Sequence, residues 1–332
     1  MEPHHNKSTV NNLIILAHSL ALLLSLFIFS PPALPISSHK TIAITEIVVH
    51  PSLLEAKRGI LDVLKEHGYE MGSNLTVLEA TAHNNIATAA MIARKWATLK
   101  PDAIIPISTP SAQTVIKATS GTNIPVIFSS VTDPVAAGIV PQLTRNGRIT
   151  GAIDSPPLDQ ELLLIQSLVP NLKNLGVLYN PSEANSVKAL ALLKKMASPQ
   201  INLVPVSVNS TNDIKSALHS LIGKVDALYV PSDNTIFSGL GTVIKITREH
   251  KLPLFTSDPD SVKQGALSCV GYTQYDVGRT AGEQLVKVLA GASDLPVLAP
   301  SKISLVVNQT TASLLGIQIG TTLIGMPLII EK

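Results

Sequence analysis

Along residues 41–315, short apolar runs alternate with longer stretches whose apolar positions recur at three- and four-residue spacing. The first kind of run fits a buried strand and the second an amphipathic helix. This patterning predicts strands over 41–49, 75–79, 103–107 and 124–128, separated by helices over 51–67, 86–99 and 112–119. Segment 149–153 reads as a crossing, after which the rhythm restarts. Helices are expected over 159–168, 184–197, 211–222 and 236–250, interleaved with strands over 174–179, 203–208, 227–230 and 254–255. A helix over 275–289, a loop over 291–300, a strand over 304–307, a helical turn over 311–315 and an apolar tail over 321–330 complete the pattern. Strands alternating with helices of this length imply right-handed βαβ units and parallel sheets. The class is therefore α/β with parallel sheets, one architecture being used twice, once in each half of the chain.

The polar residues gather where such folds bind ligands. In Ile104–Val140, one apolar run ends in Ser108-Thr109-Pro110-Ser111 and the next in Ser129-Ser130-Val131-Thr132-Asp133-Pro134. Open parallel sheets hold ligands at the carboxyl ends of their strands, and the helix N-termini that follow favour anions. The corresponding strand ends of the second half carry acids: Asn180-Pro181-Ser182-Glu183, Ser232-Asp233-Asn234 and Ser257-Asp258-Pro259-Asp260. Hydroxyls facing carboxylates across a cleft suit a zwitterion with an apolar tail, because desolvated charges need charged or multiple hydrogen-bond partners.

Composition narrows the class further. At 332 residues, 45% hydrophobic and 14% charged, the chain can bury a large core and is long enough for about two domains. A formal charge of +2 with scattered basic residues, and an aromatic content of 3%, speak against nucleic acid as a partner. The one cysteine, Cys269, excludes an intramolecular disulfide and reads as an inert core thiol. Trp96 lies on an apolar helix face and reads as core. Residues 1–40 hold a polar start with Lys7, an apolar run from Leu13 to Phe29 and a Pro-containing loop. This reads as an export signal, with a retained membrane anchor over 13–29 as the alternative, since about 17 residues is the short edge of a span. No cysteine follows that run, so lipoprotein attachment there is not expected. The remainder of the chain is expected in the periplasm or another extracytoplasmic space.

The motifs ISTPSAQ, FSSVTDPVAAGIV, YNPSEANS, DALYVPSDNT, SDPDSVKQGALS and VVNQTTASLLG occur in that order over roughly residues 41–320. Together they resemble the aromatic and hydrophobic amino-acid (tryptophan-binding) family of ABC-transporter substrate-binding proteins. The resemblance implies the type I periplasmic binding protein fold, two Rossmann-like lobes joined by three crossovers and closing on a small ligand. It implies a lobe of 41–152 with 272–292, and a second of 153–271 with 293–332. Hinge strands are expected near Ile149–Ile153, Cys269–Tyr272 and Gly291–Val297. The implied partners are an amino acid or similar small molecule, an ABC permease and, through it, the ATPase subunit. No cofactor and no metal are implied, and the chain is expected to be a monomer. Residue by residue, the resemblance points to Ser108, Thr109, Ser129, Ser130 and Thr132 as carboxylate donors and to Asp233 and Asp258 as amine partners. Asn180, Asn234 and Tyr272 are expected on the second wall or hinge, and Glu46 with Ile47 in the first loop. Gln274 stands where an aspartate commonly precedes paired tyrosines, which bears on ligand choice.

Several of these residues carry a second reading. Asp133, Asp233 and Asp258 each precede a helix and can serve as N-caps. Ser108 and Ser129 can be turn residues. His50, His67, His83, His219 and His250 are dispersed, without metal-ligand spacing, and read as surface caps. No G-x-S-x-G elbow and no phosphate-binding G-x-x-x-x-G-K-[ST] loop occurs, so an enzyme is not expected. A membrane-tethered ligand sensor on the same fold is the alternative function. A DNA-binding repressor would need a helix-turn-helix before residue 41, and the apolar N-terminus offers none.

Overall fold

A computed structural model describes residues 39–197, 199–320 and 322–331. The export or anchor segment expected over 1–40 lies outside them except at its last two residues. Among the described residues no helix is long and apolar enough to cross a membrane.

The first lobe is built on a five-stranded, all-parallel sheet in the order β2-β1-β3-β4-β5. Its strands are β1 (Lys40–Glu46), β2 (Leu75–Thr81), β3 (Ala103–Ile107), β4 (Val126–Val131) and β5 (Ile149–Ile153). Helices α1 (Pro51–Glu66), α2 (Ile86–Leu99) and α3 (Thr109–Ala118) connect the first four strands. β3 is wholly buried, as a central parallel strand must be when helices cover both faces. Two differences from the patterning matter for the site. β1 stops at Glu46, which leaves 47–50 as a loop leading into α1. β4 continues to Val131, so Ser129 and Ser130 lie in the strand, and its register against β5 shifts between Phe128 and Val131. Ser130 there adopts φ 57°, a local irregularity that re-aims the strand end.

The second lobe carries an eight-stranded sheet, β12-β13-β11-β10-β9-β8-β6-β7. Its strands β6 (Asn174–Tyr179), β7 (Asn202–Ser207), β8 (Ala227–Val230), β9 (Leu254–Thr256) and β10 (Ser268–Gly271) are parallel neighbours. Helices α4 (Leu158–Leu168), α5 (Ala184–Met196) and α6 (Ile214–Leu221) precede the short α7 (Asn234–Ser238), α8 (Leu240–Glu249) and α9 (Pro259–Gln264). The helix expected over 236–250 is thus two, broken at Gly239. The sheet is not purely parallel. β11 (Ser304–Asn308) runs antiparallel to β10, and β12 (Thr322–Leu323) pairs antiparallel with β13 (Met326–Glu331). β11 enters from the other lobe, so no βαβ handedness constrains its direction against β10.

The chain passes between the lobes three times: after β5, after β10 into α10 (Gln274–Leu289), and from α10 to β11. The first and third crossings pair, with Ile153 N–H donating to Leu298 C=O (2.9 Å) and Leu298 N–H to Gly151 C=O (3.0 Å). Helix α10 lies on α1 so closely that glycines are required. A Cβ built on Gly278 would stand 2.0 Å from the Ala56 carbonyl oxygen, and one on Gly59 would stand 2.3 Å from that of Tyr275. This contact fixes the axis of α1 and aims its N-terminus at the cleft.

Candidate functional site

Between the lobes lies a small cavity of about 30 Å³. From the first lobe come the start of α1 (His50, Ser52, Leu53) and the end of β4 (Ser130, Thr132). Asp154 and Gln274 reach it from the first two crossings. The second lobe contributes Asn185, Ser232, Asp233, Asn234, Phe237 and Asp258. Three carboxylates therefore line the cavity, and among the described lining residues there is no lysine or arginine.

The first wall is tied to the crossings by a chain of hydrogen bonds. Ser130 Oγ donates to Gln274 Oε1 (2.7 Å), Gln274 Nε2 donates to Asp154 Oδ2 (3.0 Å), and Thr132 Oγ1 donates to Asp154 Oδ1 (3.0 Å). Burial still holds the Asp154 carboxyl above its ordinary pKa, with Gln274 and Thr132 offsetting part of the shift.

The second wall is organised around two acids. Asp233 caps α7 through Ile236 N–H (2.9 Å) and also accepts from Asn180 N–H (2.6 Å). Burial first, and then the nearby Glu183, push it up to about 8. Glu183 accepts from the N–H and side chains of both Asn234 and Thr235, at 2.6–3.0 Å, which satisfies the free donors at the start of α7. Asp258 caps α9 through Asp260 N–H (3.1 Å), and burial followed by repulsion from Asp260 raises it to about 7. Capping and cavity lining thus coincide at Asp233 and Asp258. Asp133 instead caps its own turn through Ala136 N–H (2.9 Å) and stands outside the cavity.

Among the described residues, two side-chain hydrogen bonds and one ion pair bridge the cleft. Ser52 Oγ donates to Asp258 Oδ2 at a buried point. Asn84, at φ 59°, reaches over to donate from Nδ2 to Thr235 Oγ1 (3.0 Å). At the rim, Lys188 Nζ pairs with Asp133 Oδ2 (3.1 Å).

Of the expected site residues, Ser130, Thr132, Asp233, Asn234 and Asp258 meet at the cavity. Ser108, Thr109 and Ser129 are buried one layer back, and the Ser108 N–H is engaged by Ser129 C=O (2.9 Å). Asn180 supports the second wall from behind, donating to Thr235 Oγ1 (2.8 Å). Glu46 stands 3.9 Å from Lys57 Nζ, Ile47 packs with Ala82 and Ala89, and Tyr272 packs against the first-lobe core. His50, expected at the surface, is instead 6% exposed and lines the cavity, because β1 ends early and Pro51 turns the chain inward. Its ring stands 6.0 Å from that of Phe237 on the opposite lobe. Asp154, absent from the sequence-based candidates, carries a signal like that of Asp233, an acid in the loop between a strand and the next helix. Phe237 carries no signal apart from its helix's apolar pattern. Cys269 and Trp96 are buried, and burial pushes the Cys269 thiol up.

Two α/β lobes linked by three crossings, with a polar, acid-rich cavity at their facing strand ends, define a two-lobe ligand-binding protein of the type I periplasmic binding fold. Residues 41–327 match the ABC transporter substrate binding protein family, and the chain belongs to it. It is 38% identical over 283 residues to a tyrosine-binding protein of Clostridioides difficile, covering 84% of this chain and 81% of that one. It resembles the ABC domain from Streptococcus pneumonia solved with L-Trp, at 34% identity and TM-score 0.83, covering 88% of this chain and 100% of that one. Against a ligand-free, open substrate-binding protein with adhesive properties from Clostridium difficile, the coverage is the same and the identity 35%, but the TM-score is 0.65. The better overlay on the ligand-bound structure accords with the three contacts that bridge the cleft here.

Proposed function

We propose that this chain is the extracytoplasmic binding component of an ABC importer and closes on an aromatic amino acid. The observation that carries the reading is the charge of the cavity. Three buried carboxylates converge, none of the described lining residues is a lysine or arginine, and a buried charge is stable only when paired. A ligand ammonium supplies that pairing, and Phe237, Leu53 and the His50 ring offer apolar and aromatic surface for its side chain. The relatives named for tyrosine and crystallised with L-Trp support an aromatic side chain. Closure would rotate the lobes about the paired crossings, and the closed form would then be offered to a permease. Residues 1–40 would direct export.

Isothermal titration with L-tyrosine, L-tryptophan, L-phenylalanine and L-leucine tests the ligand class. Tyrosine or tryptophan is expected to bind at least tenfold more tightly than leucine. Failure of every amino acid to bind at millimolar concentration overturns the proposal. Sequencing the N-terminus of the mature protein tests export, with a start between residues 34 and 40 expected.

A further inference from the structure

We infer that the N-terminus of α1 together with the His50 imidazole is the subsite for the carboxylate of the ligand, an assignment that rests on the amino-acid reading above. The hydroxyls that the sequence offers for this role are engaged elsewhere. Ser130 donates to Gln274 and Thr132 to Asp154, and Ser52, a cavity hydroxyl outside that set, donates to Asp258. Each hydroxyl has one proton to donate, so none of these three keeps one for an anion without breaking a bond to its present acceptor.

The start of α1 is different. It is a 16-residue helix whose first turn opens on the cavity through Ser52 and Leu53. Leu54 N–H bonds the His50 carbonyl (3.2 Å), while the N–H groups of Ser52 and Leu53 take no backbone carbonyl among the described residues. Such groups, at the positive end of the helix dipole, suit an anion. The second observation is independent of the helix. The His50 side chain makes no capping bond, is almost wholly buried, and neither ring nitrogen has a partner of normal hydrogen-bond geometry among the described residues, the Asn234 amide being its polar neighbour. A buried polar group left unpaired in a ligand cavity indicates where a ligand atom belongs. Burial lowers the His50 pKa to about 4, with a side-chain interaction from Asn234 offsetting part of that shift, so the ring is neutral and carries one N–H, which a ligand carboxylate would draw from Asn234. Ser52 joins the two halves of the site, because its backbone faces the carboxylate position while its hydroxyl holds Asp258. That places an α-carboxylate and an α-ammonium on adjacent parts of one residue.

The test compares L-tyrosine and L-tryptophan with their decarboxylated counterparts, tyramine and tryptamine. Wild-type protein is expected to bind the amino acids at least 100-fold more tightly than the amines. In His50→Leu that ratio should fall at least tenfold, and His50→Gln, which keeps an N–H donor, should recover most of it. If His50→Leu does not fold, NMR of the wild type decides: the His50 ring N–H resonance should move with tyrosine and not with tyramine. Loss of tyrosine and tyramine affinity by the same factor, or an unmoved resonance with tyrosine bound, overturns the subsite while leaving the amino-acid reading intact. Binding of neither amino acid overturns both.

Discussion

Ser52 and Asp258 are 206 positions apart in the chain and belong to different lobes, yet the Ser52 hydroxyl donates directly to Asp258 Oδ2 at the buried centre of the cleft. The contact exists only while the lobes are together. It therefore makes closure and the ionisation of Asp258 interdependent.

Ser52→Ala removes this bond and leaves Asp258 with the Asp260 N–H as its remaining partner among the described hydrogen bonds. A hydrogen bond to a charged group contributes ~1.5–3 kcal/mol, so ligand affinity should fall about tenfold or more. Small-angle scattering of the ligand-free variant should show a larger radius of gyration than wild type. Unchanged affinity would mean that the contact does not help hold the closed form.

Asp258 and Asp233 stand at about 7 and about 8, above the ordinary aspartate value. A carboxyl raised on folding contributes stability that is fully present below its unfolded pKa of about 3.9 and is lost as pH rises through the folded value. The melting temperature of ligand-free protein is therefore expected to fall between pH 5 and 8. A bound ammonium favours the ionised carboxylates, so binding at pH 7 should release protons, measured as a dependence of calorimetric enthalpy on buffer ionisation heat. Asp258→Asn should reduce both effects.

Gln274 links Ser130 to Asp154 and so joins β4 to the first two crossings. Gln274→Ala leaves the buried Asp154 carboxylate short of a donor, which costs ~1–3 kcal/mol. Thermal denaturation of the ligand-free protein should show that loss, together with weaker ligand binding.

The Lys188–Asp133 pair bridges the rim with both side chains about one-third exposed. Exposed pairs contribute ~0.2–1 kcal/mol. Lys188→Ala is expected to weaken ligand binding no more than about fivefold, with the difference from wild type vanishing in 1 M salt.

Gly278→Ala would place a methyl group 2.0 Å from the Ala56 carbonyl oxygen. Because the obstruction is backbone, α10 must lift from α1, at a cost of ~1–3 kcal/mol or more. A lowered melting temperature together with weaker binding is expected, since the same contact aims α1 at the cavity.

The strand–helix order, the doubled lobe and the polar strand ends could be read from residue types alone, because periodicity and turn chemistry are local properties. The same holds for Asp233, Asn234 and Asp258, acids and amides set between a strand and a helix. Locality also limits the reading. Ser108, Thr109 and Ser129 carry the signature of a ligand loop, but the depth at which they lie depends on where β4 ends, and its irregularity at Ser130 brings Ser130 and Thr132 forward instead. Nothing near His50 marks it as buried. Its place follows from the early end of β1 and from the glycine contact between α1 and α10, whose two sides are separated by more than 200 residues of sequence. Phe237 and Asp154 meet His50 and Ser52 only because the lobes fold back on one another. Residue types along the chain fix which chemical groups stand at the strand ends. Which of those groups share one desolvated space is set by long-range packing, not local propensity, and their burial and charge follow from it.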